Sequence, residues 1–162
     1  GSGRCAELWK LDSRTSPSWL EMEKNRYPMS EIKINHIAIV VEDVNTALGF
    51  WRDALGLPLH HLEHNQDEQV DIAFLPADDG EIELIAPFTE DSGVARYLAK
   101  RGAGLHHLCL DVEDIDSTAE KLRSAGAELI NDQPKTRPDG TRYLFVHPRS
   151  TGGVLLELYQ SP

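Results

Sequence analysis

A chain of 162 residues, 40% apolar and 27% charged, is sufficient for one compact domain or two closely packed small ones and too short for two independent enzyme domains. Its formal net charge of −11 argues against a nucleic-acid backbone or an anionic membrane as the main partner, since both reward clustered Lys and Arg. Two cysteines, Cys5 and Cys109, make neither a disulfide framework nor a Cys-rich zinc site, which fits a reduced, cytoplasmic setting, and no window approaches the roughly 18 uninterrupted apolar residues of a membrane span.

Residues 1–28 differ in character from the rest of the chain. They hold five Lys/Arg against four Asp/Glu, a local +1 that leaves −12 on the remainder, and they show no sustained helical or strand period before Pro28. We read them as an appended leader or disordered extension, the competing reading being an arm that docks Trp9 and Trp19. The rest is a repeat: Asn35-His36-Ile37-Ala38-Ile39-Val40-Val41-Glu42-Asp43-Val44 aligns without a gap on His106-His107-Leu108-Cys109-Leu110-Asp111-Val112-Glu113-Asp114-Ile115. A short helix is expected after each run, over 45–55 and 116–125, started by Asp43 or Asn45 and by Asp114 or Asp116, and stopped by Gly56 and Gly126. Strands are expected at 57–62, 69–75 and 81–85 in the first half and at 128–130, 142–146 and 154–159 in the second. A linker helix over 91–101 carries Val94, Tyr97 and Leu98 on one face and stops at Gly102 and Gly104. The division is therefore a first βαβββ module at 29–90, a linker at 91–104 and a second βαβββ module at 105–162.

One helix covers only one face of a three- to four-stranded sheet, so each module must bury its other face. Pairing the two open faces gives an α+β fold in which duplicated βαβββ modules bring their sheets together around a cleft lined by both. His36 interrupts an apolar strand, and His107 holds the matching place 71 residues later. Glu83 interrupts Ile82-Glu83-Leu84-Ile85, and Glu157 interrupts Leu155-Leu156-Glu157-Leu158, 74 residues on. A charged carboxylate in such a strand is costly unless paired or bound to a metal, and here the placement occurs twice. His36, Glu83, His107 and Glu157 form a two-His, two-carboxylate set suited to a divalent ion such as Zn, Co, Mn, Ni or Fe. His106, next to His107, is expected to face the other side of its strand. His60, His61 and His64 fall in or beside a polar stretch without a counterpart in the other half and read as solvated, and Cys109 reads as a small core residue.

These residues resemble the vicinal oxygen chelate (glyoxalase-like) superfamily and, within it, the methylmalonyl-CoA epimerases. The resemblance covers about residues 33–160 and rests on Ile34-Asn35-His36-Ile37-Ala38-Ile39, Ile82-Glu83-Leu84-Ile85-Ala86-Pro87, the double His106-His107 and the block from His147-Pro148-Arg149-Ser150 through Gly152-Gly153-Val154-Leu155-Leu156-Glu157-Leu158. It implies a divalent metal (Co, Mn, Zn, Ni or Mg) held by His36, Glu83, His107 and Glu157, where some members carry Gln in place of Glu83. It implies an acyl-CoA substrate whose C2 configuration is inverted through a metal-stabilised enolate, with Glu157 as one acid/base. The position matching a second carboxylate is Asp71, which alternates with Ala73 and Leu75 and is either a cleft base or an edge-strand surface acid. A homodimer is implied as well. Lys100, Arg101, Lys135, Arg137, Arg142 and Arg149 are the candidates to meet the CoA phosphates. The alternatives are a glyoxalase I-like lyase and a metal-free small-molecule-binding protein of the same superfamily.

Overall fold

The computed structural model describes residues 32–162, so the leader reading of residues 1–28 and the first three residues assigned to the first module lie outside the described residues. Strand β1 (Lys33–Val40) buries every second residue, His36, Ala38 and Val40. Asp43 then accepts a hydrogen bond from the Thr46 N–H at 2.7 Å and opens helix α1 (Val44–Leu48). The single helix expected over 45–55 is in fact two pieces, α1 and a π-helical continuation at Gly49–Ala54. Strands β2 (His61–Asn65), β3 (Val70–Ala77) and β4 (Gly80–Pro87) come next. Ser92 caps helix α2 (Gly93–Arg101) by accepting from the Ala95 N–H at 3.0 Å.

The second half repeats the plan. Strand β5 (Gly104–Asp111) leads to Asp114, which accepts from the Ser117 N–H at 2.9 Å and opens helix α3 (Ile115–Ser124). Both helical segments end at a glycine in the left-handed region, Gly56 at φ 89° and Gly126 at φ 81°, where a side chain would be strained. Strands β6 (Lys135–Thr136), β7 (Arg142–Val146) and β8 (Leu155–Gln160) complete the chain. Two strand expectations shift. The first half's second strand begins four residues later than predicted and takes in Glu63, His64 and Asn65, while 128–130 provides only an isolated bridge from Leu129 to Val146.

All eight strands join one sheet in the order β2-β3-β4-β1-β5-β8-β7-β6, which reads the same from both ends once β5–β8 are matched to β1–β4. β1 pairs parallel with β4, β5 pairs parallel with β8, and β1 meets β5 antiparallel at the centre. The modules are thus joined edge to edge along β1 and β5, and their open faces line one concave side of a shared sheet. The outer side carries two matching cores. Val44 and Leu48 of α1 pack on Ala73, Leu75, Leu84 and Ala86, while Ile115 and Ala119 of α3 pack on Leu144, Val146 and Leu158. Among the described residues no helix is long and apolar enough to cross a membrane.

Leu75 and Leu144 are each fully buried, one in each core. Leu75→Ala and Leu144→Ala should each cost roughly 2–5 kcal/mol, and because the two cores share no residue the double variant should equal their sum within about 0.5 kcal/mol. Urea denaturation of the three variants measures this, and strong non-additivity would contradict separate cores.

Candidate functional site

The central β1–β5 ladder slips twice. Ile34 pairs with Leu110 but His36 with Cys109, so Asn35 is an extra residue on β1, and Ala38 pairs with His107 but Ile39 with Leu105, so His106 is an extra residue on β5. A bulged residue is released from strict alternation and re-aims its side chain. Asn35 and His106 are the two residues aligned by the repeat, and each one contacts the histidine directly after it.

Asn35 Nδ2 donates to both Asp111 carboxylate oxygens at 3.1 Å, which turns Asn35 Oδ1 toward His36 Nδ1 at 2.7 Å. An amide oxygen only accepts, so His36 Nδ1 carries the proton and His36 Nε2 presents a lone pair. His107 is held the same way, its Nδ1 lying 2.8 Å from His106 Nδ1. Burial, assisted by the adjoining His107, lowers the His106 pKa to about 4, so this ring is neutral at pH 7 and can accept from His107 Nδ1–H. His107 Nε2 is then free to act as an acceptor.

The two Nε2 atoms lie 2.9 Å apart, with Glu157 Oε2 3.1 Å from His107 Nε2 and 3.6 Å from His36 Nε2. Two lone pairs do not face each other at that separation unless a proton or a cation lies among them, and a carboxylate alongside favours either. Burial alone would raise the Glu157 carboxyl, but the His107 and His36 imidazoles outweigh it and hold the pKa down at about 2. Glu157 Oε1 is buried without a hydrogen-bond partner, a second mark of a group shaped for a ligand. Three of the four residues expected from the sequence therefore converge. Glu83 stands on the other side of His36, with Oε1 3.4 Å from Nδ1, and burial raises its pKa against the opposing pull of His36 and His107.

Cys109 belongs to this cluster as well. His36, Cys109 and Glu157 offer ligand atoms within 4.8 Å of one another. Burial, reinforced by the Glu157 charge, pushes the thiol far above its ordinary range, so Cys109 is protonated without a metal to displace the proton.

The cluster lies in a cleft of about 320 Å³ to which both modules contribute. Ile72, Phe74 and Ile85 line the first half, Tyr143, Phe145 and Tyr159 the second. Two expectations are corrected by this geometry. Asp71 is not a cleft residue: it shares the outer face with Ala73 and Leu75, which pack under α1, and its Oδ1 lies 2.6 Å from His64 Nδ1. The cleft residues of β3 are its neighbours Ile72 and Phe74. His106, expected on the far face, lines the cleft because of its bulge. The sequence reading missed Glu63, which lines the cleft from β2 and accepts from Asn65 Nδ2 at 2.9 Å. Of the six candidate cations, Lys135 and Arg137 line the cleft, whereas Arg142 forms a double hydrogen bond with Asp116 at 2.6 and 2.9 Å and Arg149 lies 3.6 Å from Glu128.

Residues 35–145 match the family model described as the glyoxalase/bleomycin resistance protein/dioxygenase superfamily. An ethylmalonyl-CoA/methylmalonyl-CoA epimerase of Cereibacter sphaeroides is 36% identical over 130 residues, spanning 79% of this chain and 97% of that protein. The crystal structure of methylmalonyl-CoA epimerase from Mycobacterium tuberculosis superposes with a TM-score of 0.70 at 36% identity, covering 80% of this chain and 87% of the other. A methylmalonyl-CoA epimerase solved with methylmalonyl-CoA and ammonium superposes at 0.69 with 34% identity, covering 80% and 94%.

Asp111 reaches His36 through Asn35. Asp111→Ala should therefore leave the fold intact yet weaken divalent-ion uptake by roughly 10- to 100-fold. Calorimetric titration with Co or Mn measures this, and unchanged affinity would show that Asn35 does not orient His36.

Proposed function

The chain belongs to the glyoxalase/bleomycin resistance protein/dioxygenase superfamily, and from that footing we propose that it interconverts (R)- and (S)-methylmalonyl-CoA by moving the C2 proton. The observation that carries the reading is the convergence of His36 and His107, from matched strands of the two modules, with Glu157 of β8 inside the shared cleft. The relatives that act on methylmalonyl-CoA support the substrate.

The donor set fits a divalent cation: His36, fixed by Asn35 with Nε2 outward, His107, whose Nε2 faces it, one ionised carboxylate and a second one, Glu83, within reach of the His36 ring. His36, His107, Glu157 and Glu83 are the residues we assign to hold it, a mixed N/O set that suits Co, Mn, Zn or Ni. Such an ion would act as a Lewis acid toward the thioester oxygen as charge develops there.

The residues of the chain account for the proton movement. C2 lies between a thioester and a carboxylate, so loss of its proton gives a planar enolate that either face can reprotonate. Inversion needs one acid/base on each side. Glu157 supplies one from β8 and takes the C2 proton. With Asp71 on the outer face, the first module brings Glu63, Glu68 and Glu83 to the cleft; Glu63, anchored by Asn65 on β2, is the one to which we assign the return of a proton to the other face. Phe74, Ile72 and Phe145 keep the intervening space apolar, which limits access of water to the enolate. The working unit in this reading is a cytoplasmic homodimer: the described chain holds one free, buried cysteine and its sheet keeps two open edges, β2 and β6.

In deuterated buffer the metal-loaded protein should exchange the C2 proton of methylmalonyl-CoA and interconvert its epimers. Glu157→Gln should slow this by about 10²- to 10⁴-fold. Glu63→Gln should slow interconversion comparably while one epimer still exchanges, and Asp71→Asn should turn over at the normal rate. A loaded wild-type protein that leaves C2 untouched overturns the epimerase reading and directs attention to hemithioacetal lyase chemistry. Light scattering should give a mass near two 18.1 kDa chains, and a mass near one would remove the dimer.

A further inference from the structure

Arg137 sits just past β6 in a tight turn, its N–H donating to the Thr141 carbonyl at 2.8 Å and its carbonyl accepting from the Gly140 N–H at 2.9 Å. The side chain leaves that turn and enters the cleft half-buried. Its guanidinium carbon lies 5.2 Å from the Tyr143 ring centre and 5.1 Å from that of Tyr159, so two aromatic rings hold the group in place. The carboxylate it approaches, Glu157 Oε1, is 3.7 Å away, outside hydrogen-bond reach. Among the described residues the guanidinium makes no hydrogen bond to another residue, so its N–H donors are left for a ligand of the cleft it lines.

The surroundings are acidic. Glu63, Glu68, Glu83 and Glu157 all line the cleft, and the permanent cations set against them are Lys135 and Arg137. Lys135 is exposed on the two-residue strand β6, whereas Arg137 is the cation held beside Glu157. A substrate that brings a carboxylate of its own into such a cleft needs a fixed counter-charge next to the reacting carbon, and a planar fork matches a carboxylate in a two-point contact.

We propose that Arg137 anchors the free carboxylate of the malonyl group and thereby selects carboxylated acyl thioesters over simple acyl ones. This rests on the epimerase reading for the position of the substrate: if Glu157 reaches C2, the carboxylate attached to C2 lies within a bond or two of the Arg137 fork. The CoA phosphates stand a whole pantetheine arm away. Arg137 is a specificity residue here, since the proton moves between C2 and other groups.

The test compares methylmalonyl-CoA with propionyl-CoA, which lacks the carboxylate, as ligands of the metal-loaded full chain. Arg137→Gln should weaken methylmalonyl-CoA binding by roughly 10- to 100-fold, the range for a hydrogen-bonded charge, and leave propionyl-CoA binding unchanged. KM should rise more than kcat falls, and Arg137→Lys should recover part of the loss. Equal weakening toward both ligands would overturn the proposal, by assigning Arg137 to the phosphates or to the fold, and so would no change toward either. A wild type that discriminates the two ligands through Arg137 but does not exchange the C2 proton would retain the anchor and remove the epimerase reading. A wild type that binds the two equally removes the anchor whatever its turnover.

Discussion

The antiparallel seam between β1 and β5 is the constraint on which the rest depends. It relates the two modules, and its register sets His36 beside Cys109 and His107 beside Ala38, so that two imidazoles from opposite strands meet on one face. A slip by one residue would turn either histidine to the helix-covered side and place an apolar neighbour in the cleft. The seam holds that register by carrying one bulge on each strand, at Asn35 and at His106. Each bulge inserts its extra residue directly before a histidine. A feature that locally weakens the ladder thus serves the site twice, and duplication of the module is why it occurs twice.

From that seam the electrostatics of the cleft result. Burying two imidazoles with their Nε2 atoms 2.9 Å apart leaves room for one positive charge among them, and Glu157 is the counter-charge fixed alongside. Two carboxylates enter the same space and are driven apart in behaviour. Glu157 is held ionised by the two rings, whereas burial raises Glu83 on the far side of His36. His106 is kept neutral by its burial and by the ring beside it, which is what lets it accept rather than compete. The donors nearest the reacting position are therefore of fixed character before a substrate arrives.

Much of this was legible in the sequence because it was written twice. The ungapped match of residues 35–44 with 106–115 located the paired strands, the aspartate caps and the two histidines, the separate recurrence of Glu83 and Glu157 supplied the carboxylates, and both glycine stops fell where left-handed backbone occurs. What escaped were features without a copy, and the bulge, which defeats alternation in both halves. The strand parity of Asp71 could be read either way from alternation alone, and its outer neighbours Ala73 and Leu75 settle it only once α1 is seen to cover them. His106 could not be placed by alternation at all, since a bulge breaks the rule being applied. Glu63 and Asn65 sat in a stretch too polar to read as a strand, yet a strand with one side toward a polar cleft has little reason to be apolar. Arg137 lies in a turn, where a lone Arg is usually solvated, and only the rings of Tyr143 and Tyr159 distinguish it.

Symmetry and asymmetry divide the work in this molecule. The scaffold is close to two-fold: strand order, caps, cores and the two histidines all have counterparts. The walls of the cleft are not. Beyond the matched Glu83 and Glu157, the second module contributes Arg137 and the tyrosine pair, while the first contributes Glu63 and the apolar surface of Ile72, Phe74 and Ile85. An inversion at carbon makes that mixed demand. Both faces of one planar intermediate must be reached, which two opposed modules supply, yet the intermediate must not turn over between losing and regaining its proton, which a symmetric cleft could not prevent. A cationic fork on one wall and an apolar surface on the other break the equivalence, so that the duplicated frame provides the two faces and the unduplicated residues decide which way the substrate lies between them.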